Sequence, residues 1–244
     1  MRRLLPPLWF IPLLCAAAGS AAAGCAPDAL GTSRVLTLKR EYAAYGTVQH
    51  GPLPLDKGEV VLTFDDGPNP GTLDKVLQAL ASQCAKATFF MTGANLAKYP
   101  ELGQRVVQAG HTPALHSFAH PLLKSMPVNE QLADLSQGLK SFADVFGYAP
   151  AAYRFPFLDE TPAILAQLKE RKITVASIDV GIGDYHPNDM RSEALVSRLV
   201  EQLRQTGGGI VLMHDANGPT AEALPALLQA IHDNGYKVVH VRWE

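Results

Sequence analysis

The segment VVLTFDDGP, residues 60–68, decides the fold of this 244-residue chain. Its apolar and β-branched first half predicts a buried strand, and Asp65 and Asp66 follow that strand directly. Asp, Gly and Pro are also the residues of ordinary turns, so the paired aspartates become informative only beside other motifs. Further along the chain, strand-like runs recur at residues 87–91, 112–115, 152–155, 173–178, 209–213 and 237–241.

Helices are predicted between these strands, at residues 72–82, 100–109, 128–145, 161–171, 192–206 and 220–234. One helix start is well marked, because Thr161 can accept hydrogen bonds from free N–H groups and Pro162 has no N–H to leave unpaired. Strands that alternate with helices predict a parallel sheet. Seven strands favour a distorted TIM-like (β/α)7 barrel in a single α/β domain, with a doubly wound sheet as the alternative.

The first 25 residues have the pattern of an export signal, with a basic start, a largely apolar stretch and then small residues. The apolar stretch is short for a bilayer span and contains prolines, so cleavage near Ala23 is favoured over a membrane anchor. Residues 22–25 also resemble a bacterial lipoprotein signal, in which Cys25 would be acylated. We therefore expect export to the periplasm, cell envelope or extracellular space, with a lipid tether through Cys25 and free secretion as alternatives.

Residues 26–58 are interpreted as a tether and entry segment, in which residues 35–45 could form a short strand, and residues 59–244 as the folded domain. Cys15 lies in the leader, so at most Cys25 and Cys84 remain after cleavage. We therefore expect no disulfide framework and no cysteine-based zinc site. Cys84 is expected to be a small buried hydrophobic residue. With 21 basic and 23 acidic residues and no basic cluster, the chain is not expected to bind nucleic acid. A monomer is expected.

Histidines mark two further strand ends. His116 follows the third predicted strand and precedes His120 by four positions, and His214 follows the sixth. Because α/β folds build active sites at the carboxyl ends of their strands, we expect these residues to lie near Asp65 and Asp66. Two neutral imidazoles and one carboxylate form an open three-ligand site for Zn²⁺ or a similar ion. A second carboxylate beside that site could deprotonate a water molecule.

From about residue 60 to residue 241, the chain resembles the polysaccharide deacetylase family, the NodB-homology domain of carbohydrate esterase family 4. The resemblance rests on TFDDGP at 63–68, ATFFMTG at 87–93, HSFAHP at 116–121, YRFPF at 153–157 and LMH at 212–214. It implies that Asp65 is the catalytic base, that Asp66, His116 and His120 bind a metal, and that His214 is catalytic. The metal implied is a divalent ion, Zn²⁺ first, with Co²⁺, Ni²⁺ or Mn²⁺ as alternatives.

The chemistry of amide hydrolysis supports the same roles. Asp65 would remove a proton from water, and His214 would protonate the leaving nitrogen. Arg154 would hold Asp65 by a charge-assisted pair, and together with the metal would keep the pKa of Asp65 low despite burial. The backbone N–H of Phe157 would contribute to an oxyanion hole.

The fourth motif departs from the family's usual Asp-x-x-Asp-Trp pattern. Gly181 stands where the first Asp is expected, so either Asp179 or Asp184 would supply the charge that tunes His214 or Arg154. We favour Asp179 as the catalytic support, because it ends a predicted strand that should point into the cleft.

Phe157 and Tyr185 stand where the family usually has Tyr and Trp, and we expect both rings to contact the substrate. The resemblance and the leader predict a metal-dependent hydrolase that removes N-acetyl groups from an envelope glycan, such as peptidoglycan or poly-N-acetylglucosamine. One alternative is an esterase acting on O-acetylated polysaccharide. Another is a catalytically silent carbohydrate-binding envelope protein, although the intact set of base, ligands and acid argues against it.

Overall fold

The computed structural model describes residues 25–26, 28–186 and 189–244. The predicted export signal therefore lies outside the described residues, except for Cys25. Within the described ranges, no helix combines the length and the hydropathy that a membrane span requires.

The described residues form one ten-stranded sheet, together with seven α-helices. Two short 3₁₀ turns, Leu123–Ser125 and Pro156–Leu158, add to these elements. The strands are β1 (Arg34–Leu38), β2 (Ala44–Tyr45), β3 (Glu59–Asp65), β4 (Thr88–Met91), β5 (Thr112–Leu115), β6 (Ala152–Tyr153), β7 (Thr174–Ala176), β8 (Val180–Gly181), β9 (Gly209–His214) and β10 (Lys237–Trp243). The helices are α1 (Leu73–Ser82), α2 (Gly93–Lys98), α3 (Pro100–Gln108), α4 (Val128–Phe146), α5 (Pro162–Glu170), α6 (Ser192–Thr206) and α7 (Gly218–Asp233).

All pairings between these strands are parallel. The sheet runs in the order β1-β10-β3-β4-β5-β6-β7-β2, while β9 pairs with both β3 and β8. The predicted single-domain α/β fold with a parallel sheet is confirmed. It is a distorted (β/α)7 arrangement that is not fully closed, because among the described residues no strand ladder joins β2 to β8.

Strand β3 lies at the centre of the core. Every one of its residues is buried, since it has neighbouring strands on both edges and helices cover the sheet. The rings of Phe64 on β3 and Phe89 on β4 stack with centroids 5.0 Å apart. Helix α6 buries Leu195, Leu199 and Leu203, which recur every four residues along one face. Tight packing therefore fixes the position of the carboxyl end of β3, where Asp65 is the last strand residue and Asp66 follows it.

The interpretation of residues 26–58 as a tether is wrong for much of that segment. Strand β1 pairs with β10, and β2 pairs with β7, so both belong to the sheet. Leu36 and Leu38 pack against a buried cluster that contains Val239 and Val241. A short strand is expected within residues 35–45, but its pairing with the central sheet is not apparent from the sequence, because only alternate residues of β1 are half-buried.

The expectation that the cysteines form no disulfide is wrong, because Cys25 and Cys84 are bonded to each other. Neighbouring hydrogen bonds hold the same two segments together, with the Thr32 hydroxyl donating to the Cys84 carbonyl at 3.1 Å and the Gly31 N–H donating to the Gln83 carbonyl at 2.8 Å. Cysteine pairing across a separation of 59 residues cannot be read from sequence. Acylation of Cys25 would require the Sγ atom that is bonded to Cys84.

Breaking this disulfide should destabilise the fold. It closes a long loop, and closing a loop of this length restricts the unfolded chain. We expect the Cys84→Ser variant to lose about 2–4 kcal/mol of unfolding free energy, measured by urea denaturation. Reductant should destabilise the wild-type protein similarly and leave a Cys25→Ser, Cys84→Ser double variant unchanged. Equal wild-type stability with and without reductant would contradict this prediction.

Candidate metal and catalytic site

The loops after β3, β5 and β9 surround an open cavity of about 670 Å³. The strands are parallel, so their carboxyl ends meet at one side of the sheet. Residues lining the cavity include Asp65, Asp66, His116, His120, Phe155, Phe157, Leu158, Ile178, Asp184, Tyr185, Leu212, His214, Ala216, Asn217 and Gly218.

Three side chains converge as the sequence predicted for a metal site. Oδ1 of Asp66 lies 3.5 Å from Nε2 of His116 and 3.4 Å from Nε2 of His120. One potential ligand atom from each residue lies within 4.8 Å of the other two. Asp66 and His120 both have left-handed backbone conformations, with φ of 73° and 56°, and these turns direct their side chains to the cavity.

The chemistry of this donor set fits a divalent cation. Nδ1 of His116 donates to the Arg154 carbonyl at 2.8 Å, which leaves the Nε2 lone pair facing Asp66. Burial lowers the pKa of His116 to about 3, so its imidazole is neutral. Oδ1 of Asp66 is buried and has no hydrogen-bond partner within the part of the chain that the structure describes. A lone pair on nitrogen and a carboxylate oxygen that face each other cannot hydrogen bond, whereas a cation between them would bind both.

Asp65 has a different set of neighbours from Asp66. Its carboxylate is buried and accepts a hydrogen bond from Nη1 of Arg154 at 2.7 Å. Its other oxygen lies 3.8 Å from Nε2 of His116. In the sheet, Asp65 on β3 is in register with His214 on β9, so parallel pairing brings these two residues to the same cavity.

Arg154 is held rigidly beneath the site. It is fully buried and donates to Thr63 Oγ1 at 2.8 Å, to the Ala176 carbonyl at 3.2 Å and to the Ser177 carbonyl at 3.1 Å. Burial raises the pKa of Asp65, and the charge of Arg154 opposes that rise without cancelling it. The sequence predicts that Arg154 and a metal ion together keep the pKa of Asp65 low. The charge of Arg154 alone does not do so.

The carboxylate that supports His214 is Asp184. Nδ1 of His214 lies 2.8 Å from Asp184 Oδ1, and the His214 backbone N–H donates to Asp184 Oδ2 at 2.8 Å. Thr220 also donates to Oδ2, at 2.7 Å, and the amide of Asn217 donates to the Asp184 carbonyl. Burial alone would lower the pKa of His214, but the hydrogen bond and charge of Asp184, aided by Asp65 and Asp66, raise it to about 9.

The expectation that Asp179 supports His214 is wrong, because Asp184 occupies that position. Burial lowers the pKa of Arg154, and the charge of Asp179, with that of Asp65, opposes this lowering, so Asp179 acts on Arg154 through its charge. Oδ1 of Asp179 accepts hydrogen bonds from the N–H and hydroxyl of Thr47 at 2.7 and 2.5 Å, and Oδ2 accepts from the Ile210 N–H at 2.6 Å. Strand β7 already ends at Ala176, and the chain then crosses to pair with β9. That crossing places Asp179 beside the first residues of β9, whereas His214 is the last residue of that strand.

Phe157 and Tyr185, the expected substrate contacts, both line the cavity and are 61% and 60% exposed. The Phe157 ring packs edge-on against His120, with centroids 4.5 Å apart, and the Tyr185 ring lies 5.9 Å from the His214 ring. Exposed aromatic faces of this kind can stack on sugar rings.

Sequence reasoning missed Asp215, which directly follows His214. Asp215 is fully buried, and neither carboxylate oxygen has a hydrogen-bond partner among the described residues. Burial, with the nearby charges of Asp66 and Asp65, raises its pKa to about 8. Its carboxyl group packs against Gly67, where an added Cβ would lie 2.2 Å from Oδ2. The Asp65–Gly67 turn therefore needs glycine because a neighbouring side chain occupies the space.

Comparison with known proteins identifies the family. The family model for polysaccharide deacetylase matches residues 53–176. The chain is 31% identical over 183 residues to peptidoglycan-N-acetylmuramic acid deacetylase PdaC of Bacillus subtilis, a match that covers 75% of this chain and 38% of that protein. It is 32% identical over 185 residues to peptidoglycan-N-acetylglucosamine deacetylase PgdA of Listeria monocytogenes, again covering 75% and 38%. The chain thus spans 38% of the length of both curated relatives.

A solved structure supports the same relationship. A peptidoglycan deacetylase of Bdellovibrio bacteriovorus superposes with a TM-score of 0.76 and 29% sequence identity, covering 87% of this chain and 60% of that one. The match extends beyond residues 53–176, so the fold similarity includes parts of the chain that the family model does not reach.

Proposed function

The chain belongs to the polysaccharide deacetylase family, and we propose that it is a metal-dependent hydrolase that removes N-acetyl groups from an amino-sugar glycan of the cell envelope. The observation that carries this proposal is the division between two adjacent carboxylates. Oδ1 of Asp66 faces the imidazoles of His116 and His120 at 3.5 and 3.4 Å, whereas Asp65 accepts a hydrogen bond from Arg154 at 2.7 Å. One carboxylate is thus arranged to bind a cation and the other to accept a proton.

A divalent ion held by Asp66, His116 and His120 would polarise the acetyl carbonyl and lower the pKa of water. Zn²⁺ suits two imidazoles and one carboxylate, and Co²⁺, Ni²⁺ and Mn²⁺ are the alternatives. Asp65 removes the proton of the attacking water, with Arg154 fixing the carboxylate in place.

His214, which also lines the cavity, donates a proton to the leaving nitrogen. Its hydrogen bond to Asp184 orients the ring and keeps it protonated below about pH 9. The backbone N–H of Phe157, at the cavity wall, is the proposed donor to the developing oxyanion. Phe157 and Tyr185 would stack on sugar rings on either side of the reacting group.

The names of the relatives support peptidoglycan as the substrate, and the N-acetyl groups of both N-acetylmuramic acid and N-acetylglucosamine are candidates. We propose that the protein is exported, because a disulfide persists in oxidising compartments outside the cytoplasm. Since Cys25 is in that disulfide, free secretion is favoured over a lipid tether through this residue.

Acetate release tests this function directly. The purified protein would be assayed on peptidoglycan, on N-acetylglucosamine oligomers and on O-acetylated xylan, with Zn²⁺ and with chelator. We expect metal-dependent acetate release from at least one N-acetylated substrate. Release only from xylan would establish the O-acetyl esterase, and glycan binding without any release would establish the silent carbohydrate-binding protein.

Metal binding should stabilise the folded protein. A ligand that binds only the native state stabilises it by about 2.7 kcal/mol at a concentration of 100 times its Kd. We expect Zn²⁺ to raise the Tm of the chelator-treated protein and His120→Ala to abolish most of that increase, as measured by calorimetry. His232→Ala, on the exposed surface of α7, is the matched control and should respond to Zn²⁺ like the wild type. Full stabilisation of His120→Ala would exclude His120 as a ligand.

A further inference from the structure

Residues 46–50, here called the seam segment, precede the residues matched by the family model. The segment follows β2 and lies along residues 177–179, where the chain crosses from β7 to β8. The Val48 N–H donates to the Ile178 carbonyl at 3.1 Å, and Thr47 binds the carboxylate of Asp179. Gly46 has φ 107°, and a Cβ there would lie 2.5 Å from the Ile178 nitrogen. The segment therefore lies between β2 and β8, two strands that no ladder joins in the described part of the chain.

The seam segment also contacts residues 156–160, here called the wall loop. Phe157 and Leu158 in this loop line the cavity and have left-handed conformations, with φ of 55° and 56°. Two consecutive non-glycine residues in this region are strained and persist only where neighbouring structure holds them. The support comes from Gln49, whose Nε2 donates to the Leu158 carbonyl at 2.7 Å, and from His50, whose Nε2 lies 2.6 Å from Glu160 Oε1.

Gln49 joins the wall loop to the base of the site. Its Oε1 accepts a hydrogen bond from Ser177 Oγ at 2.7 Å, and the Ser177 carbonyl accepts one from Arg154 at 3.1 Å. Arg154 in turn holds Asp65. A single side chain outside the cavity thus connects the cavity wall to the residue that orients the proposed base.

We propose that Gln49 is a positioning residue for the deacetylase reaction, which holds Phe157 and Leu158 in their strained conformations at the cavity wall. The inference rests on the proposed function. Gln49 touches neither the metal ligands nor the cavity, so it acts through the wall loop. Loss of its hydrogen bond to Leu158 would let the wall loop relax and would displace the Phe157 N–H. The hydrogen bond from this N–H to the developing oxyanion strengthens in the transition state, so its loss would slow the reaction.

The test separates the two hydrogen bonds of Gln49. Gln49→Glu keeps the acceptor for Ser177 but replaces the donor to Leu158 with an acceptor, while Gln49→Met removes both bonds without adding charge. Gln49 lies at the surface, and both variants are expected to fold. Gln167→Glu is the matched control, because Gln167 lies on α5 and its side chain makes a solvent-exposed hydrogen bond to Glu170.

We expect both Gln49 variants to lower kcat by about tenfold, because both lose the hydrogen bond to Leu158, with KM and the Zn²⁺ Kd within about twofold of wild type. Amide hydrogen exchange at Leu158 and Asp159 should accelerate by about the same factor, while Gln167→Glu changes neither measurement. Unchanged kcat and exchange would overturn the proposal, as would a change in Tm alone. If the wild type releases no acetate, the proposed function fails, and unchanged exchange in the two variants would still refute the positioning role.

Discussion

Asp65→Asn should reduce the kcat for acetate release by about 10³-fold or more while leaving Zn²⁺ binding nearly unchanged. The substitution keeps the shape of the side chain and a hydrogen-bond acceptor for Arg154, but the amide cannot accept a proton from water. A positioned general base contributes about 10²–10⁴-fold, which sets the size of the expected loss. Zn²⁺ affinity would be measured by calorimetry on the same protein.

Asp66→Asn is the matched variant one residue away. Its Oδ1 faces both imidazoles, so this variant should lose Zn²⁺ affinity as well as activity. The pair of variants therefore assigns the two carboxylates separately. If Asp65→Asn lost metal and Asp66→Asn lost only turnover, the two roles would have to be exchanged.

His214→Ala should reduce deacetylation of N-acetyl substrates by about a hundredfold or more, with Zn²⁺ binding retained. An amine leaves poorly unless it is protonated, whereas the alkoxide from an acetyl ester is a better leaving group. Hydrolysis of an O-acetyl ester should therefore fall less than hydrolysis of the amide. Equal losses on both substrates would indicate that His214 stabilises the reaction intermediate and does not protonate the leaving group.

The same residue predicts the high-pH limb of the rate profile. The pKa of His214 is about 9, so the protonated acid and the activity are lost as pH rises through about 9. Asp184→Asn removes the charge that raises this pKa and should shift the limb to lower pH. Asp179→Asn should leave the limb in place, since Asp179 bonds Thr47 and Ile210. A shift with Asp179→Asn alone would reverse this assignment.

Folding stability should show the same titration. The folded-state pKa of His214 lies above the ordinary value of 6.5, so its ion pair with Asp184 stabilises the protein fully below pH 6.5. That contribution is lost as pH rises through about 9. Asp184→Asn should reduce this pH dependence, which would be measured as Tm against pH.

The sequence alone determined the order of seven of the strands and six of the helices, and the position of the motifs along them. The six predicted helices and seven predicted strands are all present, with ends within two residues of those expected. These features depend on local periodicity and caps, which the chain carries in each short stretch. The carboxyl ends of parallel strands meet on one side of the sheet. The positions of Asp66, His116 and His120 near strand ends were therefore enough to predict that the three residues lie close together.

Tertiary structure alone decided the contacts between distant segments. The choice of Asp184 over Asp179 follows from the crossing between β7 and β8, where only three-dimensional pairing determines which carboxylate faces His214. The Cys25–Cys84 disulfide and the incorporation of β1 and β2 into the sheet likewise join segments far apart in the chain. Local patterns set what each segment can form, but packing of the whole core decides which partner each segment meets, because burial energy depends on all neighbours at once.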